Sequence, residues 1–194
     1  PEPADTVKLR LYHYHTAGDA FRDITIHEVT GDWVEGTGTY SGTTEPDAAP
    51  GEISWMFQPP FDPNPAISFN PGDSPGRHIE VDVTDLVRGW LSGRPNHGLV
   101  ITELESSGSE SVFGFYSREH EEVDKRPSLV IDGPLSIAPM ADTHVYSYSF
   151  LNWNNCNWGS YDILGAGWNP AGGEKRTYLK FDLAGIIPGE DDRA

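Results

Sequence analysis

Short runs in which every second residue is apolar recur along the whole chain, and they constrain its fold more than any other feature. Val7, Leu9 and Leu11 alternate with polar neighbours. Successive side chains of a strand point to opposite faces of a sheet, so this alternation is typical of strands with one buried face. Further candidate strands lie at 24–26, 79–83, 99–101, 112–115, 129–131, 145–151, 161–164 and 178–183. The pattern predicts an all-β fold.

The composition narrows the class of β protein. The 194 residues include 21 glycines and 16 prolines, which supply turns between short strands. We therefore expect an antiparallel β-sandwich of the jelly-roll type. In the last candidate strand, Leu179, Phe181 and Leu183 are predicted to face the core, and Tyr178 is predicted to point outward.

One short helical turn interrupts the strand pattern. Thr84 is a candidate N-cap for a turn over residues 85–90, and Gly93-Arg94-Pro95 is a stop signal after it. Leu86, Val87 and Trp90 would share one side of this turn. The sequence therefore predicts one helix in an otherwise β protein.

Residues 42–76 form a long proline-rich loop. Loops of this length are usually functional or disordered. Trp55 and Phe61 lie within it, and a disordered loop carries few aromatic residues. We therefore expect the loop to pack against the rest of the protein.

The charge of the chain excludes several classes of partner. Thirteen basic against thirty acidic residues give a formal net charge of −17. Such a protein repels nucleic acid and anionic membranes, and it attracts divalent cations. No run approaches the ~20 apolar residues of a membrane span. The single cysteine, Cys156, allows no internal disulfide.

Several longer motifs resemble parts of one known domain. They are Trp33-Val34-Glu35-Gly36, the run from Asp82 to Trp90, Tyr116-Ser117-Arg118-Glu119 with the later run Arg126 to Ile131, and Ala141-Asp142-Thr143-His144-Val145. These motifs resemble the DNRLRE-type β-sandwich domain, which is also described as a carbohydrate-binding module and named after archaeal disaggregatase-related repeats. Residues 1–132 resemble its C-terminal part and residues 138–194 its N-terminal part, so the parts stand in permuted order.

The resemblance and the permuted order imply two functions. In the first, the opening part of one subunit completes the closing part of its neighbour, which gives a head-to-tail extracellular filament of identical copies. In the second, the chain folds back on itself and binds a cell-surface or matrix polysaccharide. Both place the protein outside the cell. In both, Trp33 and Trp90 should be buried with Leu179 and Phe181.

The contact residues for a glycan or a neighbouring subunit are predicted in an asparagine-rich segment. Indole rings stack on sugar faces and amides bind hydroxyls, so we expect contacts from Trp153, Asn154, Asn155, Asn157 and Trp158, with Tyr146 and Tyr148 on a nearby strand. A rigid, self-bonded structural loop is the alternative for this segment. At least one of the two indoles should be partly exposed if the segment binds.

Oxygen-bearing side chains nearby make calcium the candidate cation. The predicted ligands are Asp142, Asn155, Asn157 and Asp162, because calcium takes six to eight oxygen ligands. No other cofactor is expected. The acidic loop that begins at Glu119 could supply a carboxylate pair for sugar hydrolysis. A solvated loop is the stronger interpretation, and we predict that the protein is not an enzyme.

Overall fold

The computed structural model describes residues 6–38, 47–103, 109–147, 153–170 and 173–186. For Trp153 it describes the backbone but not the side chain. Within these ranges the chain forms eleven strands, one α-helix and two short 3₁₀ turns. The strands are β1 Val7–Gly18, β2 Ile24–Glu28, β3 Ile67–Phe69, β4 Arg77–Asp82, β5 Leu99–Thr102, β6 Ser111–Tyr116, β7 Ser128–Ile131, β8 Leu135–Ile137, β9 Ala141–Tyr146, β10 Ile163–Asn169 and β11 Gly173–Lys180. Helix α1 is Thr84–Leu91, and the 3₁₀ turns are Val123–Lys125 and Trp153–Asn155.

The strands form one continuous antiparallel sheet in the order β3-β2-β5-β11-β10-β6-β1-β7-β8. Strand β4 also pairs with β1, and β9 also pairs with β11. The inward side chains of both halves of the sheet belong to a single hydrophobic cluster, so the sheet folds over onto itself. The prediction of an all-β antiparallel sandwich with one helix is confirmed.

Both segments of the chain contribute to this core. Val7, Leu9 and Leu11 of β1 pack in the same cluster as Leu179 and Phe181, and Leu183 packs at its margin. The prediction that Leu179, Phe181 and Leu183 face the core is confirmed, and within one chain they share that core with β1. The connection between the segments is a tight turn between β7 and β8, where Asp132 and Gly133 have φ angles of 48° and 86°.

The strand ends differ from those that the pattern predicts, and the short strands β3 and β8 fall outside the candidate strands. Strand β9 begins at Ala141 rather than at 145, β10 begins at Ile163 rather than at 161, and β11 ends at Lys180 rather than at 183. Alternation marks a buried face but leaves open where ladder hydrogen bonds begin. Phe181 and Leu183 therefore reach the core from the segment that follows β11.

Helix α1 begins differently from the prediction. Thr84 is its first residue and does not cap it through its side chain. Its hydroxyl instead accepts a hydrogen bond from the backbone N–H of Val7 at 2.9 Å, and the Asp82 carboxylate accepts one from the backbone N–H of Thr84 at 2.9 Å. The threonine thus ties the helix to β1. Trp90 is buried as predicted, and its indole N–H donates to Glu28 at 2.6 Å.

A second, smaller cluster lies on the other side of β11. The prediction that Tyr178 points to solvent is wrong, because its side chain is completely buried. It packs with Val100 and Val145, and residues of the long loop cover it, with Trp55 and Phe61 at the margin. This confirms that the loop packs. Trp33 belongs to the same margin and is only half-buried, which is less than predicted.

None of the helices in the described ranges is long and apolar enough to span a membrane.

Candidate functional site

A groove of about 270 Å³ lies where strands β1, β6, β9, β10 and β11 approach one another. Its floor contains two glycines, Gly114 of β6 and Gly165 of β10, which are register partners in the ladder between these strands. Glycine inside a strand often marks a place where other groups approach the backbone closely. The groove is therefore built around a flat patch in the middle of the sheet.

The two glycines leave space that larger neighbours use. A Cβ atom on Gly114 would stand 2.8 Å from two ring carbons of Tyr14. A Cβ atom on Gly165 would stand 3.0 Å from the Cδ of Lys175. Both distances are too short for ordinary packing. Any other residue at either position would push Tyr14 or Lys175 away from the sheet.

Tyr14 ends a row of three stacked tyrosines. Its ring lies 4.8 Å from that of Tyr116 with an angle of 7° between the planes, and Tyr116 stacks on Tyr12 at 5.4 Å and 15°. Tyr12 and Tyr14 occupy the outward positions of β1, whose alternate residues form the core. Burial raises the pKa of Tyr14 to about 12, so its phenol stays neutral at physiological pH. Of this row, the Tyr14 ring lines the groove, and Tyr116 supports it from behind.

Lys175 supplies a positive charge inside the groove. Its ammonium nitrogen lies 4.6 Å from the centre of the Tyr146 ring, within the range of a cation–π contact. It forms no ion pair with any residue that the structure describes. Burial lowers the pKa of Lys175, since charge is less stable away from water. A desolvated ammonium of this kind gains most from a ligand that accepts hydrogen bonds.

Two further polar side chains of the lining form a hydrogen-bonded pair. The Asn169 amide donates a hydrogen bond to the Glu110 carboxylate, and both side chains line the groove. Aromatic surface, ammonium, amide and carboxylate thus face one small volume. This combination suits a ligand that has both apolar C–H faces and several hydroxyl groups.

The structure distributes the predicted contact residues among different environments. Tyr146 lines the groove, as noted above, whereas Tyr148 and the side chain of Trp153 lie outside the described residues. Asn154 and Asn155 are half-buried. The carbonyl of Asn154 accepts from the Met56 N–H at 2.9 Å, and that of Asn155 accepts from the Ala48 N–H at 2.7 Å, so both hold the long loop.

Asn157 and Trp158 are buried and face the interior of the protein. The Asn157 amide donates to the carbonyls of Glu35 and Ile53, and its oxygen accepts from the N–H groups of Gly38 and Gly159. Trp158 stacks on His144, with ring centres 5.4 Å apart. For these two residues the observed role is that of a self-bonded structural loop. Whether a tryptophan of the segment is exposed depends on Trp153, whose side chain is not described.

The four predicted calcium ligands differ in burial and in their hydrogen bonds. Asp142 is buried among two other carboxylates, Glu35 and Glu119, and the three offer ligand atoms within 4.8 Å of one another. The Asn157 amide has the four structural hydrogen bonds described above. Asp162 is exposed, and Asn155 is half-buried.

Sequence reasoning missed the groove, and of the three carboxylates it predicted only Asp142 as a cation ligand. Gly114 interrupts an otherwise apolar strand, and such an isolated glycine is a signal for close approach. Glu35 stands in the Trp33–Gly36 motif and Glu119 follows Arg118 in another motif. Nothing local indicates that these two glutamates meet.

Comparison of the chain with protein-family models, with curated proteins and with solved structures gave no match.

Proposed function

We propose that this protein is a non-catalytic, extracellular module that binds a polysaccharide in the groove between Tyr14 and Tyr146. The observation that carries the proposal is the single volume shared by the Tyr14 and Tyr146 rings, the Lys175 ammonium and the Glu110–Asn169 pair. Among the described residues this ammonium has no ion-pair partner. Sugars present C–H faces that pack on aromatic rings, and hydroxyls that exchange hydrogen bonds with ammonium, amide and carboxylate groups. The resemblance to the DNRLRE-type domain, where carbohydrate binding is described, points the same way.

The size of the groove sets the scale of the contact. Pockets for drug-sized ligands usually measure about 300–1,000 Å³, and this groove is slightly smaller, at about 270 Å³. It therefore suits one or two units of a longer chain. Each stacked ring should contribute on the order of 1 kcal/mol. We expect weak binding per site, strengthened when several copies meet one polysaccharide.

Affinity gel electrophoresis of the purified protein with a panel of neutral and acidic polysaccharides tests the proposal. At least one polysaccharide should retard the protein, and Lys175→Met should weaken that retardation about tenfold, because a charged hydrogen bond contributes about 1.5–3 kcal/mol. Lys180→Met is the matched control. Lys180 lies on the same strand but outside the groove, where it contacts the exposed Asp32 at 3.5 Å.

The outcomes separate a groove from a non-specific surface. Lys180→Met should bind like the wild type, and both variants should retain the wild-type circular dichroism spectrum. Equal loss of binding in the two lysine variants, or a wild type that no polysaccharide retards, would refute the proposal.

Head-to-tail assembly is the second function we propose. The observation that favours it is that two neighbouring strands have edges without a ladder partner among the described residues. Strands β3 and β4 face each other across a cleft of about 660 Å³, and each has one edge without a ladder partner among the described residues. Ile67 and Phe69 of β3 and the buried β4 residues Ile79 and Val81 line this cleft. A strand from a second copy would add to these edges.

The strand most available in a second copy is β8, at the opposite end of the sheet, where Leu135 is 48% exposed. Because β3 and β8 are only three residues long, the contact would be small and dependent on concentration. Light scattering over a concentration series should show growing particles, and Leu135→Asp should reduce them. Val123→Asp, which replaces an equally apolar exposed residue elsewhere, should not. A monomer at every concentration would refute assembly.

A further inference from the structure

Three segments that are far apart in sequence bring carboxylates together beside β9. Glu35 comes from the loop after β2, Glu119 from the turn after β6, and Asp142 from β9 itself. We call these three residues the carboxylate cluster. It is separate from the groove, because none of the three lines that cavity.

One arginine neutralises part of the cluster. The Arg118 guanidinium donates to both oxygens of Glu35, at 3.0 and 2.6 Å, and its Nε also lies 3.0 Å from Glu119. The Glu35 carboxylate accepts a further hydrogen bond from the backbone N–H of Asp142 at 2.6 Å. Arg118 therefore makes two hydrogen bonds to Glu35 and one contact with Glu119. With three carboxylates and one guanidinium, the formal charge of the group is −2.

The charge that remains is concentrated on two oxygens. Asp142 is only 1% exposed, and one of its oxygens accepts from the Arg118 backbone N–H at 2.8 Å. Its other oxygen, Oδ1, is buried and accepts no hydrogen bond from the described residues, and the same holds for Oε2 of Glu119. A buried acceptor without a partner is costly, and a buried anion more so. A positive group or a proton at this place would remove that cost.

We propose that the carboxylate cluster binds one divalent cation of the calcium type through Glu35, Glu119 and Asp142. All the donors are oxygens, which hard cations prefer. Ligands around calcium stand about 2.3–2.6 Å from the ion, and these three offer atoms that lie within 4.8 Å of one another, the span of a single ion. Water would complete the coordination through the partly exposed side of Glu119.

The electrostatics of the apo cluster support a cation and also define its competitor. Burial, followed by the negative charge of Glu119, raises the pKa of Asp142 well above its usual range, and burial raises that of Glu35. A proton shared by Asp142 and Glu119 would relieve part of this repulsion. A divalent cation relieves it fully, because it brings the formal charge from −2 to zero.

Binding would have a structural consequence. The cation would join the Trp33–Gly36 loop, the turn after β6 and strand β9, which belong to both segments of the chain. A ligand that binds only the folded state stabilises it in proportion to the logarithm of its concentration. Calcium should therefore raise the melting temperature of the whole chain.

Calorimetric titration and thermal melting of the EDTA-treated full chain with CaCl₂ test the proposal. The wild type should bind one equivalent and melt several degrees higher in millimolar CaCl₂. Glu119→Gln should lose about tenfold or more in calcium affinity, because it removes one of three charged ligands. Without calcium this variant should melt close to the wild type, because the lost ion pair with Arg118 opposes the lost repulsion with Asp142.

Glu121→Gln is the matched control. It removes the same charge from the same acidic stretch, and Glu121 is exposed. Its calcium response should equal that of the wild type. The absence of calcium binding by the wild type, or the same response in Glu119→Gln as in the wild type, would overturn the proposal and leave the shared proton as the compensating charge.

Discussion

At the scale of single residues, the burial of His144 makes the stability of the fold depend on pH. His144 is buried beside Trp158 and Tyr161. Burial, assisted by the charge of Lys175, lowers its pKa to about 3. The unfolded chain takes up this proton near the ordinary value of 6.5. Folding thus excludes a proton that the unfolded state would bind. Stability must fall as pH drops below about 6.5 and continue to fall toward about 3.

We predict that the free energy of unfolding at pH 5 is about 2 kcal/mol lower than at pH 7 from His144 alone, at about 1.4 kcal/mol per pH unit. Urea unfolding at both pH values measures this difference. His144→Gln should be less stable at pH 7 but should lose most of that pH dependence. His78→Gln replaces an exposed histidine and should retain it. An unchanged slope in His144→Gln would show that other groups cause the acid sensitivity.

At the scale of elements, the asparagine-rich segment between β9 and β10 holds the chain between β2 and β3 in place by hydrogen bonds. Asn157 joins this segment to Glu35, Gly38 and Ile53 through three hydrogen bonds. The carbonyls of Asn154 and Asn155 hold the same loop further along. Local hydrogen bonding of this density explains why amides are concentrated here. The loop in turn covers Tyr178 and closes the second cluster.

Asn157→Asp should therefore lower the free energy of unfolding by about 3–5 kcal/mol, because a carboxylate oxygen would face the carbonyls of Glu35 and Ile53 in a buried position. Chemical denaturation measures the loss. Asn64→Asp makes the same chemical change at an exposed residue and should stay within about 0.5 kcal/mol. Similar stability of the two variants would contradict the stabilising role of the Asn157 hydrogen bonds.

At the scale of the whole molecule, the two segments are interleaved. Strands β10 and β11 of the second segment lie between β5 and β6 of the first segment. Strand β9, also of the second segment, pairs with β11. The core includes Leu164, Leu179 and Phe181 from the second segment. Neither segment forms a complete hydrophobic core by itself. Both segments are thus parts of a single folded chain, and assembly stays a separate prediction.

We predict that a chain ending at Ile137 does not fold, because it lacks three strands and their core residues. Circular dichroism and dispersion of amide NMR signals should report an unfolded chain. Co-expression with residues 138–194 should restore folding, since the missing strands would be supplied in trans. A soluble, cooperatively unfolding fragment 1–137 would contradict this and would favour exchange of segments between subunits.

The sequence by itself determined the elements of this protein, because alternation of apolar residues is a local property of a strand. It placed most strands, the single helix, the burial of Trp90 and the packing of the long loop. It failed for Tyr178, since alternation describes one covered face, whereas the loop covers the second face of β11 as well. It also failed for the cap of α1, where the Thr84 hydroxyl bonds a residue 77 positions away.

Only the tertiary structure decided where function can reside. The groove requires Gly114 and Gly165 to be register partners and Tyr14 to lie across them, and the carboxylate cluster requires residues as distant as Glu35 and Asp142 to meet. Such distances follow from strand order and register, which depend on the packing of the whole core rather than on any local run. For the same reason the pattern could not tell whether the two segments complete one core within a chain or between chains.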